Sequence, residues 1–200
     1  MLAGILVLYA IIIGFGDTNA GATLRVALLG FLMWNAARLR GRQQRSALVA
    51  GGVAVLATAL IALFGGERAA SAFVGACTAV LIGLAIAAIA ATLYGRVTVD
   101  VSTVLGALCV YLLFAVFFGG LHQFFGAFVT PYLNGTGDPA SASDVLYFSV
   151  ITLTTVGFGD ITPASEVARS VTVTEALVGQ LYLVSVVAAV VGGWRGRAAE

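Results

Sequence analysis

Polar residues divide this chain into six long apolar runs, with a shorter run between the last two. The long runs cover residues 2–15, 22–37, 47–64, 70–94, 102–118 and 171–191. Asp17 and Asn19 part the first from the second, and Arg38, Arg40, Arg42 and Arg45 close the second. Gly65-Gly66-Glu67-Arg68 ends the third, and Arg96 and Asp100 separate the fourth from the fifth. A spanning helix needs roughly 20 apolar residues. The pattern therefore predicts an all-α integral membrane protein with six transmembrane helices. The first run is short, because about 14 residues rise only about 21 Å against a hydrocarbon core of roughly 30 Å. A signal peptide is the competing reading of that run, and the missing basic amino-terminal region argues against it.

The shorter run, residues 145–153, is about half a membrane long. Ser141 stands three residues before Asp144, the spacing of a capping box at a helix start. This run predicts a re-entrant helix, tolerated at membrane depth only where protein or water surrounds the backbone that follows. All three prolines and the single histidine, His122, fall between residues 119 and 170. Residues 134–143 form a polar loop there. The chain thus divides into a four-helix unit, residues 1–96, and a unit of two helices, a re-entrant helix and a loop, residues 97–200.

Composition narrows the function. Hydrophobic residues make up 60% and charged residues 10%, against about 45–50% and about 25% in soluble domains. Disorder, nucleic-acid binding and a soluble enzyme core are excluded. Cys77 and Cys109 lie within apolar runs and read as small buried hydrophobes. With one histidine there is no zinc set. The ten basic residues are all arginine, and seven of them (Arg38, Arg40, Arg42, Arg45, Arg96, Arg195 and Arg197) fall on one side if the amino terminus is cytoplasmic. The positive-inside rule then places both termini in the cytoplasm. The Ala- and Arg-rich, Lys-free composition points to a bacterial inner membrane, that is, a multi-pass protein of the cell membrane.

The fourth run carries Ser71, Gly75, Ala79, Gly83, Ala87 and Ala91 at every fourth position. Such a ridge of small residues lets a neighbouring helix approach closely. No charge occurs in residues 69–95, so this helix is no arginine-bearing voltage sensor.

The candidate chemistry follows the half-length run. In Thr155-Val156-Gly157-Phe158-Gly159, alternate glycines allow backbone angles closed to other residues. Successive carbonyls can then point toward one axis. Uncharged oxygen ligands suit a hard monovalent cation, and the Thr155 hydroxyl can add one more. One strand supplies one oxygen per ring, so a closed ring needs several chains around an axis.

Thr155-Val156-Gly157-Phe158-Gly159-Asp160, preceded by Thr152-Leu153-Thr154, resembles the selectivity filter of tetrameric potassium channels. The resemblance covers residues 103–195. It implies a homotetramer in which four copies of the segment build rings of carbonyls that replace the hydration shell of K⁺. It also implies Thr154, Asp160 and Tyr147 as supports of the filter. Phe158 stands where tyrosine is usual, Tyr147 and Phe148 stand where paired tryptophans are common, and Ile151 stands where some members carry a glutamate that bonds Asp160. Tyr147 is the candidate partner of Asp160. These departures bear on how the filter is braced, not on which ion it prefers.

In the last run, Gly179 lies 22 residues after Gly157, the spacing at which many potassium channels place a hinge glycine. Close packing against the fifth helix is the other reading of Gly179. Glu175 lies one turn earlier on the same face, and Gln180 follows Gly179. An ionisable residue in a spanning segment faces the protein interior or a watery cavity. For Glu175, a hydrogen bond to the re-entrant helix is preferred over contact with ions.

The resulting expectation is a potassium-selective, non-enzymatic channel without conventional voltage gating. It has no cofactor, K⁺ as the permeant ion, and three further copies of itself and membrane lipid as partners. A poorly selective cation channel, the membrane subunit of a K⁺ uptake transporter and a non-conducting accessory subunit are the alternatives. The transporters resemble channels but carry four degenerate filter copies in one chain, whereas this chain has one.

Overall fold

The computed structural model describes residues 66–94 and 101–197, together with Ile5, Val7 and Ala10. Apart from those three positions, the first three apolar runs, the arginines from Arg25 to Arg45 and Arg96 lie outside the described residues. The described elements are α1 (Gly66–Tyr94), α2 (Val101–Gly126), β1 (Leu133–Asn134), α3 (Ala142–Leu153), β2 (Thr162–Pro163) and α4 (Glu166–Arg197). Among the described residues, three helices are long and apolar enough to cross a membrane, over Arg68–Ala91, Val101–Gly126 and Glu166–Gly192.

Each long helix outruns its apolar stretch. α4 begins at Glu166, not near residue 171, because Ser165 caps it. The Ser165 hydroxyl accepts from the Ala168 N–H at 3.2 Å, and its carbonyl accepts from the Arg169 N–H at 2.9 Å. α2 runs through Gly119-Gly120 to Gly126, where the apolar run alone suggested an end near residue 118. The glycine pair does not break the helix, because Gly120 is where α1 crosses it. A Cβ on Gly120 would lie 2.9 Å from both the Ala79 nitrogen and the Gly75 oxygen. A Cβ on Gly75 would lie 2.6 Å from the Phe124 nitrogen. The two backbones thus meet directly, as small residues at a helix crossing permit. The ridge of α1 is used over part of its length. Gly75, Ala79 and Gly83 meet α2, whereas Ala87 and Ala91 are exposed.

α3 starts with the expected capping box. The Asp144 N–H donates to Ser141 Oγ at 3.1 Å, and the Ser141 N–H donates to Asp144 Oδ2 at 3.4 Å. The helix packs against both α2 and α4, burying Val145, Leu146, Phe148, Ser149, Ile151 and Leu153. Leu146 joins Leu113 and Val116 of α2 and Leu81 and Ile82 of α1 in one core cluster, which Ile5 also enters. A second cluster, Tyr132, Leu133, Val145, Phe148, Ile161 and Ala168, holds the loops to α3. There β1 and β2 pair antiparallel, Leu133 opposite Pro163 and Asn134 opposite Thr162. Gly135, at φ +84°, sits so close to the Asp160 carbonyl that a Cβ would lie 2.1 Å from its oxygen. Only glycine fits there.

Candidate ion-conduction site

The backbone after α3 folds back on the end of that helix. Thr154 caps α3, and both its N–H, at 3.0 Å, and its hydroxyl, at 2.7 Å, donate to the Val150 carbonyl. The Thr155 N–H then donates to Thr152 O at 3.0 Å, and the N–H groups of Val156 and Gly157 both donate to Ile151 O, at 2.9 and 3.1 Å. In a trans peptide the carbonyl points opposite to the N–H of the following residue. With these three N–H groups turned toward α3, the carbonyls of Thr154, Thr155 and Val156 point away from it. The result is a run of oxygens on one side of the strand.

The backbone angles continue this alternation. Thr155, Gly157 and Gly159 have φ of +59°, +51° and +82°, while Val156 and Phe158 stay negative. Positive φ at Gly157 and Gly159 agrees with the expectation for alternate glycines. A Cβ on either would meet nothing within 4 Å in this chain, so the glycines are required by backbone angle and not by space. Thr155 was not anticipated in that region, because a β-branched residue at positive φ is strained. The bond from its N–H to Thr152 holds it there. Residues 154–160 are all exposed in the single chain, including the large side chains of Val156 and Phe158.

The far end of the segment is also tied down. The Tyr147 phenol donates to Asp160 Oδ2 at 2.8 Å, the pairing assigned to Asp160 from the sequence. The Asp160 carbonyl lies against Gly135, and β2 just beyond it is paired with β1. α3, the segment and the β1 loop thus form one connected unit.

On α4, Gly179 is buried, and its nearest neighbours belong to α3. A Cβ there would lie 2.6 Å from Leu153 Cδ1 and 3.2 Å from Leu153 O. The close-packing reading had named the fifth helix as its neighbour, but the last residue of α3 occupies that space. Gln180 is half-buried. Glu175 is fully buried in the single chain, and so are His122 of α2 and Ser149 of α3. Glu175 Oε2 lies 3.0 Å from His122 Nε2, and Glu175 Oε1 hydrogen-bonds Ser149 Oγ. His122 Nδ1 lies 2.9 Å from the Tyr132 hydroxyl, and Ser149 Oγ lies 2.7 Å from Ala115 O. Burial pushes the Tyr132 phenol well above its ordinary pKa.

Sequence reasoning reached Ser149's helix as a partner of Glu175 but gave His122 no role. The available signal was a lone histidine beside an apolar run facing a lone acid within another. It also missed Tyr111, whose hydroxyl donates to Leu153 O at 3.0 Å, and Tyr182, whose hydroxyl donates to Ala107 O at 2.8 Å. Among the described residues, no group of three His, Cys, Asp or Glu side chains could hold a metal ion. A cation at residues 155–159 would meet backbone and hydroxyl oxygens instead.

Residues 106–192 match the family described as Ion channel. The match runs from α2 through the segment into α4, and it is to a channel family, not to an enzyme family. The chain is also similar to Two pore potassium channel c of Oryza sativa subsp. japonica, at 36% identity over 56 residues. Those residues are 28% of this chain, and they span 12% of the length of that relative. No solved structure matches. The channel-family match and the apolar helices indicate a membrane protein with an ion-channel domain.

Proposed function

We propose that this chain is one subunit of a homotetrameric, potassium-selective channel that conducts K⁺ passively through a pore lined by the carbonyls of residues 155–159. The observation that carries this reading is the run of carbonyls turned away from α3, continued by alternating φ from Thr155 to Gly159. Neutral oxygens spaced along a strand fit a monovalent cation stripped of water. One strand offers one oxygen per level, so four copies around an axis complete each ring. α3 is then the re-entrant pore helix, α2 the outer helix and α4 the inner helix.

The exposure of α4 supports the assembly. Only 11% of its most apolar stretch is buried in the single chain, against 50% for α2. Its exposed side chains Val173, Leu177, Leu181, Val184, Val187 and Val191 recur every three or four residues. That stripe suits neighbouring subunits and the pore. Thr154, Asp160 and Tyr147 support the filter, and Gly179, Glu175 and Gln180 lie on the gating helix. The channel sits in the cell membrane among lipid with both termini on one side, as six spans per subunit require, and the arginine bias makes that side the cytoplasm; it needs no cofactor beyond the permeant ion. A charge crossing the full membrane potential contributes about 2.3 kcal/mol per 100 mV. α1 has no charge between residues 69 and 95, so it cannot collect that energy, and opening lacks steep voltage dependence.

The test is flux through purified protein in liposomes, with K⁺ and Na⁺ on opposite sides, alongside cross-linking to count subunits. K⁺ flux well above Na⁺ flux from a four-chain species is expected. Equal flux of both ions, or no flux from a fully assembled tetramer, would overturn the proposal.

A further inference from the structure

Away from the 155–159 segment, His122, Ser149 and Glu175 are the fully buried polar side chains among the described residues, and they touch. With Tyr132 and Ala115 they form a line of four contacts: Tyr132 to His122, His122 to Glu175, Glu175 to Ser149, and Ser149 to the Ala115 carbonyl. One end of that line is chemically fixed, because a carbonyl oxygen only accepts. Ser149 must therefore donate its single proton to Ala115 O. None remains for Glu175, so Glu175 Oε1 must carry a proton and donate it to Ser149 Oγ. Glu175 Oε2 is then an acceptor, which requires the proton of His122 on Nε2. His122 Nδ1 is left bare and accepts from the Tyr132 phenol.

An ion pair of protonated His122 and ionised Glu175 holds as many protons but places them badly. The His122 Nδ1–H would meet the Tyr132 oxygen, leaving the phenol proton no partner in the line. Ser149 would face two acceptors with one proton. Ionised Glu175 beside neutral His122 would bury a net charge, which is costly without a counter-charge. Among the described residues, the cations outside the carboxyl-terminal end of α4 are already paired. On α1, Arg68 pairs with Asp138, and on α4, Arg169 pairs with Glu166. On α3, Asp144 is engaged in the capping box and Tyr147 on Asp160.

We infer that Glu175 is an uncharged carboxylic acid at the centre of a one-way hydrogen-bond line, Tyr132 to His122 to Glu175 to Ser149 to Ala115, and that this line positions α3 for conduction. The line ties α3 and α4 to α2 and to the residue preceding β1. Ser149 lies two residues before Ile151, whose carbonyl holds the Val156 and Gly157 N–H groups. Moving Ser149 moves Ile151 and with it the oxygens of the segment. Glu175 is thus a positioning residue, and this second statement rests on the channel reading above.

Two measurements test the two statements separately. The first is the infrared difference spectrum of wild type minus Glu175→Gln, in lipid at neutral pH. A protonated-carboxyl carbonyl band, shifted in D₂O and absent from the variant, is expected. Carboxylate bands alone at this position would overturn the proton assignment, whether or not the protein conducts. The second is the K⁺/Na⁺ flux ratio. Glutamine offers Ser149 an N–H donor and His122 a carbonyl, so Glu175→Gln should stay within about twofold of wild type. Glu175→Asp is too short to hold both partners and should lower the ratio by about tenfold. A Gln variant as impaired as Asp, or an Asp variant equal to wild type, would overturn the positioning role. Absence of K⁺ flux from wild type would instead defeat the channel reading and leave the infrared result standing.

Discussion

Gly179 and Leu153 are in such close contact that a methyl group on the glycine would lie 2.6 Å from Leu153 Cδ1. The Leu153 carbonyl, which also accepts the Tyr111 hydroxyl, would lie 3.2 Å from the same methyl. The middle of α4 thus bears directly on the last turn of α3, one turn after Glu175 bonds Ser149. Two consecutive turns of α4 hold the helix that the conduction segment leaves.

Gly179→Ala should therefore destabilise the protein. Overpacking costs about 1–3 kcal/mol, and with the Leu153 carbonyl also close it outweighs the roughly 1 kcal/mol that alanine gains over glycine in a helix. Thermal unfolding in detergent of Gly179→Ala, Leu153→Ala and the double variant checks it. The alanine at 179 should be destabilising alone and neutral or stabilising once Leu153 is truncated. If Gly179 acts chiefly as a hinge, Gly179→Ala changes opening without loss of stability, and truncating Leu153 rescues nothing.

Gly157→Ala and Gly159→Ala should each abolish K⁺ flux in an assembled protein. Open space surrounds both positions, so the damage is to backbone angle. An alanine held at positive φ costs about 1–2 kcal/mol, and relieving that strain rotates the adjoining carbonyls. Circular dichroism and cross-linking should match wild type while liposome flux is lost. K⁺ flux at the wild-type level in both variants would remove the segment from the pore.

Tyr147→Phe removes the donor to Asp160 Oδ2 and should loosen the outer end of the segment. Assembly should be unchanged, while K⁺ current decays faster under sustained recording. Asp160→Ala should behave alike, and the double variant should be no worse than either single one, since all three break one contact. Additive effects would mean that the two residues act through different partners.

Alkaline pH should act through Tyr132. Its phenol is held above the ordinary value of about 10 by burial. The stabilisation tied to that proton is fully present below about pH 10 and is lost as pH rises, because the unfolded chain releases the proton first. Thermal stability should fall above about pH 10 in wild type and fall less steeply in Tyr132→Phe. Equal slopes would show that other groups govern the alkaline loss.

Much of the site was legible because its determinants are local. The Ser141–Asp144 capping box and the glycines at 157 and 159 need only neighbouring atoms to act. Tyr147 and Asp160 are 13 positions apart, close enough for the return of the segment along α3 to bring them together. Thr155 at positive φ was not legible. Propensity argues against it, and it persists because the N–H groups of residues 155–157 are claimed by carbonyls at the end of α3.

From the sequence alone came the apolar runs, the half-length run too short to span, the absence of charge along residues 69–95 and the spacing of the conduction segment. Transfer of side chains out of water and the steric limits on φ act residue by residue, so they can be read along a line. The tertiary structure alone decided where α1 crosses α2, what Gly179 touches and which groups meet Glu175. His122 is 53 residues from Glu175, and Ser149 is 26. Each is an ordinary residue in its own helix. Their chemistry arises only when three helices pack tightly enough to exclude water, because then every buried proton must find its own acceptor.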